Sequence, residues 1–260
     1  MFFKDVIGQE EIKKRLIRSV QEERISHAQL FTGPEGTGKL ALALAFAQYV
    51  SCRNRAENDS CGECPSCRKY EKLAHPDLHF VFPVFPTKEF KKPVSDDFLP
   101  RWREMVKKTP YFTLSQWLGF IENENAQGLI YERESDSIMR KLNLKSFEAE
   151  FKVMIIWLPE KMHPACSNKL LKLIEEPPNK TLFLMVTENE ESIISTIRSR
   201  AQLLKVPFID NESMKIALEN KEGVNKEQVA EAVHLASGNY IKALEYLNPD
   251  EDTQFYFTKF

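Results

Sequence analysis

Hydrophobic residues fall along this chain in two alternating patterns. Short apolar runs occur at HAQLFTG (27–33), HPDLHFVFPVF (75–85), FKVMIIWL (151–158) and TLFLMVTEN (181–189). The run at 151–158 has no polar alternation, which predicts a strand buried on both faces in a parallel sheet, and 181–189 reads the same way. The run at 75–85 alternates and is closed by Pro83 and Pro86. Between the runs lie stretches with helical spacing: LALALAFAQYV (40–50), 132–150, and HPACSNKLLKLIEEPP (163–178). The last carries Leu170, Leu171 and Ile174 on one side and stops at Pro177-Pro178. Strands alternating with helices predict an α/β fold with a parallel sheet flanked by helices. From about residue 209 the pattern is purely helical, in NESMKIALEN and NKEQVAEAVHLASGNYIKALEYL. This predicts a second, small, all-helical domain, with division at 1–208 and 209–250.

The strand at 27–33 runs into GPEGTGKL (33–40) and then a helix. Strand, Gly-rich loop and helix in that order are the context of a phosphate-binding loop, G-x-x-x-x-G-K-[ST]. Gly33, Gly36, Gly38 and Lys39 are its candidate phosphate-binding residues, with backbone N–H groups at the helix start and the Lys39 ammonium facing the anion. Leu40 stands where a Ser or Thr hydroxyl should ligate magnesium, and a hydrocarbon cannot hold a hard cation. Weak or no nucleotide binding is expected, with a purely structural loop as the alternative.

Four of the five cysteines, Cys52, Cys61, Cys64 and Cys67, are spaced C-x8-C-x2-C-x2-C. In a cytosolic chain this spacing points to a tetrahedral structural zinc site, with free or redox cysteines as the other reading. Gly62 and Pro65 favour the tight turns that aim successive sulfurs at one point. Cys166 stands apart and is expected to be a core thiol.

Lys plus Arg number 36 against 38 Asp plus Glu, a net charge of −2. That excludes a nucleic-acid grip driven by overall positive charge, though not a local patch. Residues 86–130 mix Trp102, Tyr111, Phe112 and Trp117 with Arg101, Arg103, Lys107 and Lys108. They read as inserted helices and loops, able to touch nucleic acid or to pack. No run approaches a membrane span and the N-terminus has no secretory pattern, so a cytoplasmic location and no membrane partner are expected.

The ordered motifs FKDVIGQE (3–10), RISHAQLFTGPEGTGK (24–39), the four-cysteine module (52–67), HPD (75–77), SNKLLKLIEEPP (167–178) and TIRSR (196–200) resemble the clamp-loader family of AAA+ ATPases, in particular the bacterial DNA polymerase III subunits of gamma/tau and delta-prime type. The resemblance covers most of the chain outside 86–130. It implies an AAA+ P-loop domain with an inserted zinc module, a helical lid, and an adenine pocket walled by Val6 and Ile7. It also implies gamma/tau and delta partner subunits in a hetero-oligomer that loads a sliding clamp onto primed DNA.

Motor subunits of that family keep the loop hydroxyl, an Asp-Glu pair after the central strand, and an Arg early in the last lid helix. Here those positions hold Leu40, Trp157-Leu158 and Ile241. The departures resemble the delta-prime type, which does not hydrolyse ATP. The family's Ser-Arg-Cys motif reads Ser199-Arg200-Ala201, so the resemblance makes Arg200 an arginine finger offered to a neighbour's ATP, while Arg198 is expected to be structural. The alternatives are a divergent motor using a substitute such as Glu160, and a zinc-dependent nucleic-acid binder. Residues 251–260 would begin a linker. The family's helical collar domain does not lie within the 260 residues, so this chain is expected to be monomeric by itself.

Overall fold

The computed structural model describes residues 1–247 apart from 124, 145, 179 and 222–223; the linker reading at 251–260 lies outside the described residues. In chain order the elements are α1 (Glu10–Gln21), β1 (Ala28–Thr32), α2 (Lys39–Ser51), α3 (Pro65–Glu71), β2 (Leu78–Val81), α4 (Leu99–Lys108), α5 (Leu114–Phe120), α6 (Glu134–Asn143), β3 (Lys152–Trp157), α7 (Pro164–Glu175), β4 (Thr181–Thr187), α8 (Ser195–Arg198), β5 (Gln202–Lys205), α9 (Asn211–Glu219), α10 (Lys226–Ala236) and α11 (Tyr240–Leu247). The five strands form one parallel sheet in the order β2-β3-β4-β1-β5. Among the described residues no helix is long and apolar enough to cross a membrane.

The unbroken apolar runs have a direct cause. Successive side chains of a strand point to opposite faces, and both faces here are covered. Val153, Ile155, Leu182, Leu184 and Val186 enter one core with α1, α2 and the 86–130 segment, while Met154, Ile156, Phe183 and Met185 enter a second core with α6 and α7. Helix α2 is buried along its whole length. Its repeated alanines suit a helix enclosed on every side.

Two elements escape the sequence patterns. Helix α1 is amphipathic, burying Leu16, Ile17 and Val20. β5 pairs only with β1 and buries only Leu204 fully, so its pattern is that of a short edge strand.

The 86–130 segment packs rather than projecting. Trp102 and Trp117 are fully buried, and Phe112 and Tyr111 nearly so. Trp102 stacks on Phe82 at 4.2 Å and meets Trp117 edge-on at 5.2 Å. Trp117 Nε1 donates to the Pro83 carbonyl at 2.8 Å. Trp157, at the end of β3, joins this cluster at 5.4 Å from Trp102 and 5.1 Å from Phe112. These aromatics are therefore core, not a stacking surface for bases.

The HPD motif at 75–77 also has a structural role. Asp77 is buried, and its carboxylate accepts the N–H groups of Phe147, Glu148 and Ala149 at 2.6, 2.9 and 2.8 Å, fixing the approach to β3. His75 contacts Glu148 Oε1 through Nε2 at 3.1 Å. Burial opposes the Asp77 charge, but the N–H donors outweigh it and hold the pKa below the ordinary carboxylate value. Asp77→Ala is expected to cost about 3 kcal/mol, checked by denaturant unfolding. Because the folded-state pKa is depressed, the Asp77 contribution is complete above the unfolded pKa of about 3.9 and is lost as pH falls through the folded value. A wild-type-minus-variant stability difference that stays constant from pH 7 to pH 3 would refute this assignment.

Candidate functional site: a filled phosphate loop, an exposed arginine and a four-cysteine cluster

The phosphate loop forms where the sequence places it, between β1 and α2. Gly36 and Gly38 have φ of +75° and +84°, backbone that favours glycine. Lys39 opens α2 but does not reach into open space. Its Nζ donates to the Pro34 carbonyl within the same loop. Burial lowers its pKa to about 8, although Glu188, Glu160 and Glu35 partly counter that. Leu40 is buried.

The space over Gly36, Gly38 and Lys39 is filled by the chain itself, whereas Gly33 and Pro34 at the start of the loop line a cavity of about 790 Å³ together with Gln9, Thr32 and Val206. Tyr111, from the connection between α4 and α5, lies so close to Gly38 that a β-carbon there would come within 2.9 Å of its hydroxyl oxygen. That oxygen accepts the Ile7 N–H at 3.0 Å, and the ring meets Tyr240 at 5.0 Å. From the C-terminal helices, Asn239 Oδ1 would stand 1.9 Å from a β-carbon on Gly36, and the Tyr240 N–H donates to the Gly36 carbonyl at 3.2 Å. About 30 Å³ remains among Gly38, Lys39, Tyr111, Trp157, Glu188 and Ile241, room for little more than a water or two. Val6 is buried and Ile7 partly so, and Tyr111 is tied to this segment through the Ile7 N–H.

Among the described residues, no group of three or more His, Cys, Asp or Glu side chains able to hold a metal follows the central strands. Trp157 and Leu158 are buried. Glu160 Oε1 accepts the Glu188 N–H at 3.0 Å, which ties the ends of β3 and β4 together. Thr187 is buried, and its Oγ1 accepts the Asn189 N–H at 3.1 Å.

Arg200 follows α8 and is exposed. Its Nη2 pairs with Glu175 Oε1 at 2.7 Å and its Nη1 donates to the Thr196 carbonyl at 3.0 Å. Arg198 is also exposed, in the last turn of α8. The guanidinium of Arg200 thus stands at the surface, held by the C-terminal end of α7.

The four cysteine sulfurs Cys52, Cys61, Cys64 and Cys67 lie within 4.8 Å of one another. Cys61 Sγ is 3.6 Å from Cys52 Sγ and 3.9 Å from Cys67 Sγ. Tetrahedral thiolate ligands about 2.3 Å from zinc stand about 3.8 Å apart, so the donor set fits that ion. The N–H groups of Cys61, Cys64 and Cys67 point at the sulfurs of Cys52, Cys61 and Cys64 at 3.3, 3.4 and 3.5 Å, which favours thiolate charge. Burial pushes the Cys52 and Cys67 thiols up. Cys64 is brought down to about 6 against its burial by N–H donation and the neighbouring thiols. A dication binding all four displaces protons, so its affinity falls as pH falls. Cys166 is a fully buried core thiol apart from this cluster.

Tyr111, Asn239 and Glu175 are the site residues that sequence reasoning missed. Asn239 carried one signal, a polar residue just ahead of α11, where its Oδ1 accepts the Ile241 and Lys242 N–H groups at 3.0 and 3.1 Å.

A parallel sheet with a phosphate loop after its first strand and helices at its C-terminal end is the P-loop architecture of AAA+ type. A gamma-subunit-related DNA polymerase III protein of Thermotoga maritima has the same fold, with a TM-score of 0.53 at 17% identity over 90% of this chain and 57% of that one. The chain belongs to the family described as DNA polymerase III, delta subunit, whose model matches residues 8–210. It is 28% identical to DNA polymerase III subunit delta' of Bacillus subtilis over 77% of this chain and 47% of the relative. It is 25% identical to the Escherichia coli subunit delta' over 91% and 59%. The B. subtilis subunit tau is 28% identical over 77% of this chain and 28% of its own length. The chain thus spans about half the length of the delta' relatives.

Proposed function

We propose that this chain is the core of a non-hydrolysing, delta-prime-type subunit of a replicative clamp loader. Its partners would be tau/gamma-type and delta-type subunits. Its work would be protein contact and the gift of Arg200 to a neighbouring ATP site, in a complex that loads a sliding clamp onto primed DNA. The observation that supports the reading is the crowding of the phosphate loop: Tyr111 packs on Gly38, Asn239 and Tyr240 pack on Gly36, and Leu40 brings no oxygen to ligate magnesium. Trp157 belongs to the aromatic core, so the position of the motor's acidic pair is committed to packing. We divide the chain into a P-loop domain to about residue 208 and a helical lid after it, and assign zinc to Cys52, Cys61, Cys64 and Cys67. Bound zinc would cross-link the module without taking part in chemistry.

The divergent-motor reading is disfavoured by Leu40, a buried hydrocarbon where a magnesium ligand is needed. The test is direct. The purified chain is expected neither to bind MgATP in calorimetry nor to turn it over, while its full complex hydrolyses ATP on adding clamp and primed DNA. Tyr111→Ala is expected to enlarge the space over the loop and admit a nucleotide weakly, without turnover, because Leu40 still provides no magnesium ligand. Magnesium-dependent hydrolysis by the wild-type chain alone would sink the proposal.

A further inference from the structure

We infer that the four-cysteine module acts as a clamp on residues 1–7, with Asp59 as its positioning residue, and through them braces the wall of the filled pocket. This goes beyond the proposed role in clamp loading and rests only on zinc filling the cysteine site. The module's loop reaches back to the start of the chain at several points. Asp59 Oδ1 accepts the Phe3 N–H and Oδ2 the Lys4 N–H, both at 3.1 Å. Asp59 Oδ1 also accepts the Ser60 N–H at 2.8 Å, and Ser60 Oγ accepts from Gln48 Nε2 of α2 at 2.7 Å. The Phe2 ring lies on Gly62, where a β-carbon would come within 2.9 Å of it.

The clamped segment leads to the pocket. Phe3 is buried edge-on against Tyr49 of α2 at 5.7 Å, and Val6 is buried beside it in the same core. The next residue, Ile7, gives its N–H to the Tyr111 hydroxyl that covers Gly38.

The position of Asp59 depends on the metal for a physical reason. Residues 53–58 are all exposed and bring no apolar side chain to the core. Hydrogen bonds from Gln21 Nε2 to the Glu57 carbonyl at 2.9 Å and from Arg55 Nε to the Tyr49 carbonyl at 2.8 Å hold this first part of the loop to α1 and α2, and the tie between Cys52 and Cys61–Cys67 sets how the part that follows, with Asp59 and Gly62, meets the N-terminal segment. Four sulfurs joined to one ion remove the loop's freedom. Asp59 then meets two N–H groups that the N-terminal segment would otherwise leave to water.

The experiment is amide hydrogen exchange on the chain with zinc content measured in parallel. Zinc-loaded protein is expected to protect residues 2–7. Removal of zinc with a chelator, and separately Asp59→Ala with one zinc per chain retained, are each expected to speed exchange there by about 10- to 100-fold, the loss of one hydrogen bond to a charged acceptor at each of the Phe3 and Lys4 amides. β3 and β4 should stay protected in both. Asp59→Asn, with one acceptor oxygen, should fall between Ala and wild type, and Phe2→Ala should loosen the same residues from the other side of the contact.

Protection at residues 2–7 that survives either zinc loss or Asp59→Ala would overturn the inference. So would a chain that binds no zinc. If zinc removal unfolds the whole chain, the three zinc-loaded variants decide the matter alone. None of these readouts involves ATP turnover, so the clamp and the clamp-loader reading can fail independently.

Discussion

Arg200→Ala, placed in the assembled complex, is expected to lower ATP turnover at the neighbouring site by about 10³-fold or more, the usual effect of removing an arginine supplied in trans. Assembly should be unchanged, because Arg200 is exposed and its neighbours Thr196 and Ser199 are surface residues. The pair with Glu175 does not prevent the transfer. An exposed ion pair is worth about 0.2–1 kcal/mol, whereas a guanidinium on a phosphate in a closed site forms stronger charge-assisted bonds. Steady-state turnover with clamp and primed DNA, measured beside a size-exclusion profile of the complex, gives the answer. Because other ATP sites would keep working, single-turnover measurement on the site beside this subunit is the sharper readout. Equal rates with Arg and Ala would reduce Arg200 to a surface strut for the end of α7. Arg200→Lys should recover little, since an ammonium cannot present the planar fork.

Loss of the metal is the other large effect. Apparent binding free energies of structural zinc in small sites run to about 10–16 kcal/mol at neutral pH. Much of that sum would be missing from the folded state if any one ligand were removed. Cys64→Ser or Cys67→Ser is therefore expected to abolish stoichiometric zinc and lower the thermal midpoint by several degrees or more, with loss of order concentrated in 52–67 and the residues it touches. Wild-type zinc retention should itself weaken as pH falls, because protons compete for the same buried sulfurs. A chain purified without zinc, with a thermal midpoint indifferent to Cys64→Ser, would leave the cluster as four free thiols.

Much of this protein could be read from the order of its residues. The buried strands at 151–158 and 181–189 announced themselves because a sheet covered on both faces needs apolar side chains at every position, and Val153 through Ile156 and Leu182 through Val186 supply them to two cores. The phosphate loop was legible because positive φ at Gly36 and Gly38 restricts those positions to glycine. The cysteine cluster was legible because ligand spacing is local. The departures at Leu40 and Trp157 were also legible, since a missing oxygen ligand is a property of one side chain.

What filled the space those losses left was decided only in three dimensions. Tyr111 looked no different from Trp102 or Trp117 in the chain and shares their core, yet it alone of the three also reaches Gly38 and Ile7, the latter more than a hundred residues away. Asn239 meets Gly36 across a still longer separation. Asp77 and Asp59 become anchors because N–H groups distant in sequence are brought to them. Local pattern reports which backbone shapes and which ligand types are possible at a position. Which side chain occupies a cavity depends on the packing of segments that approach only when the sheet, the 86–130 segment and the C-terminal helices have come together, and no period in the sequence encodes that approach.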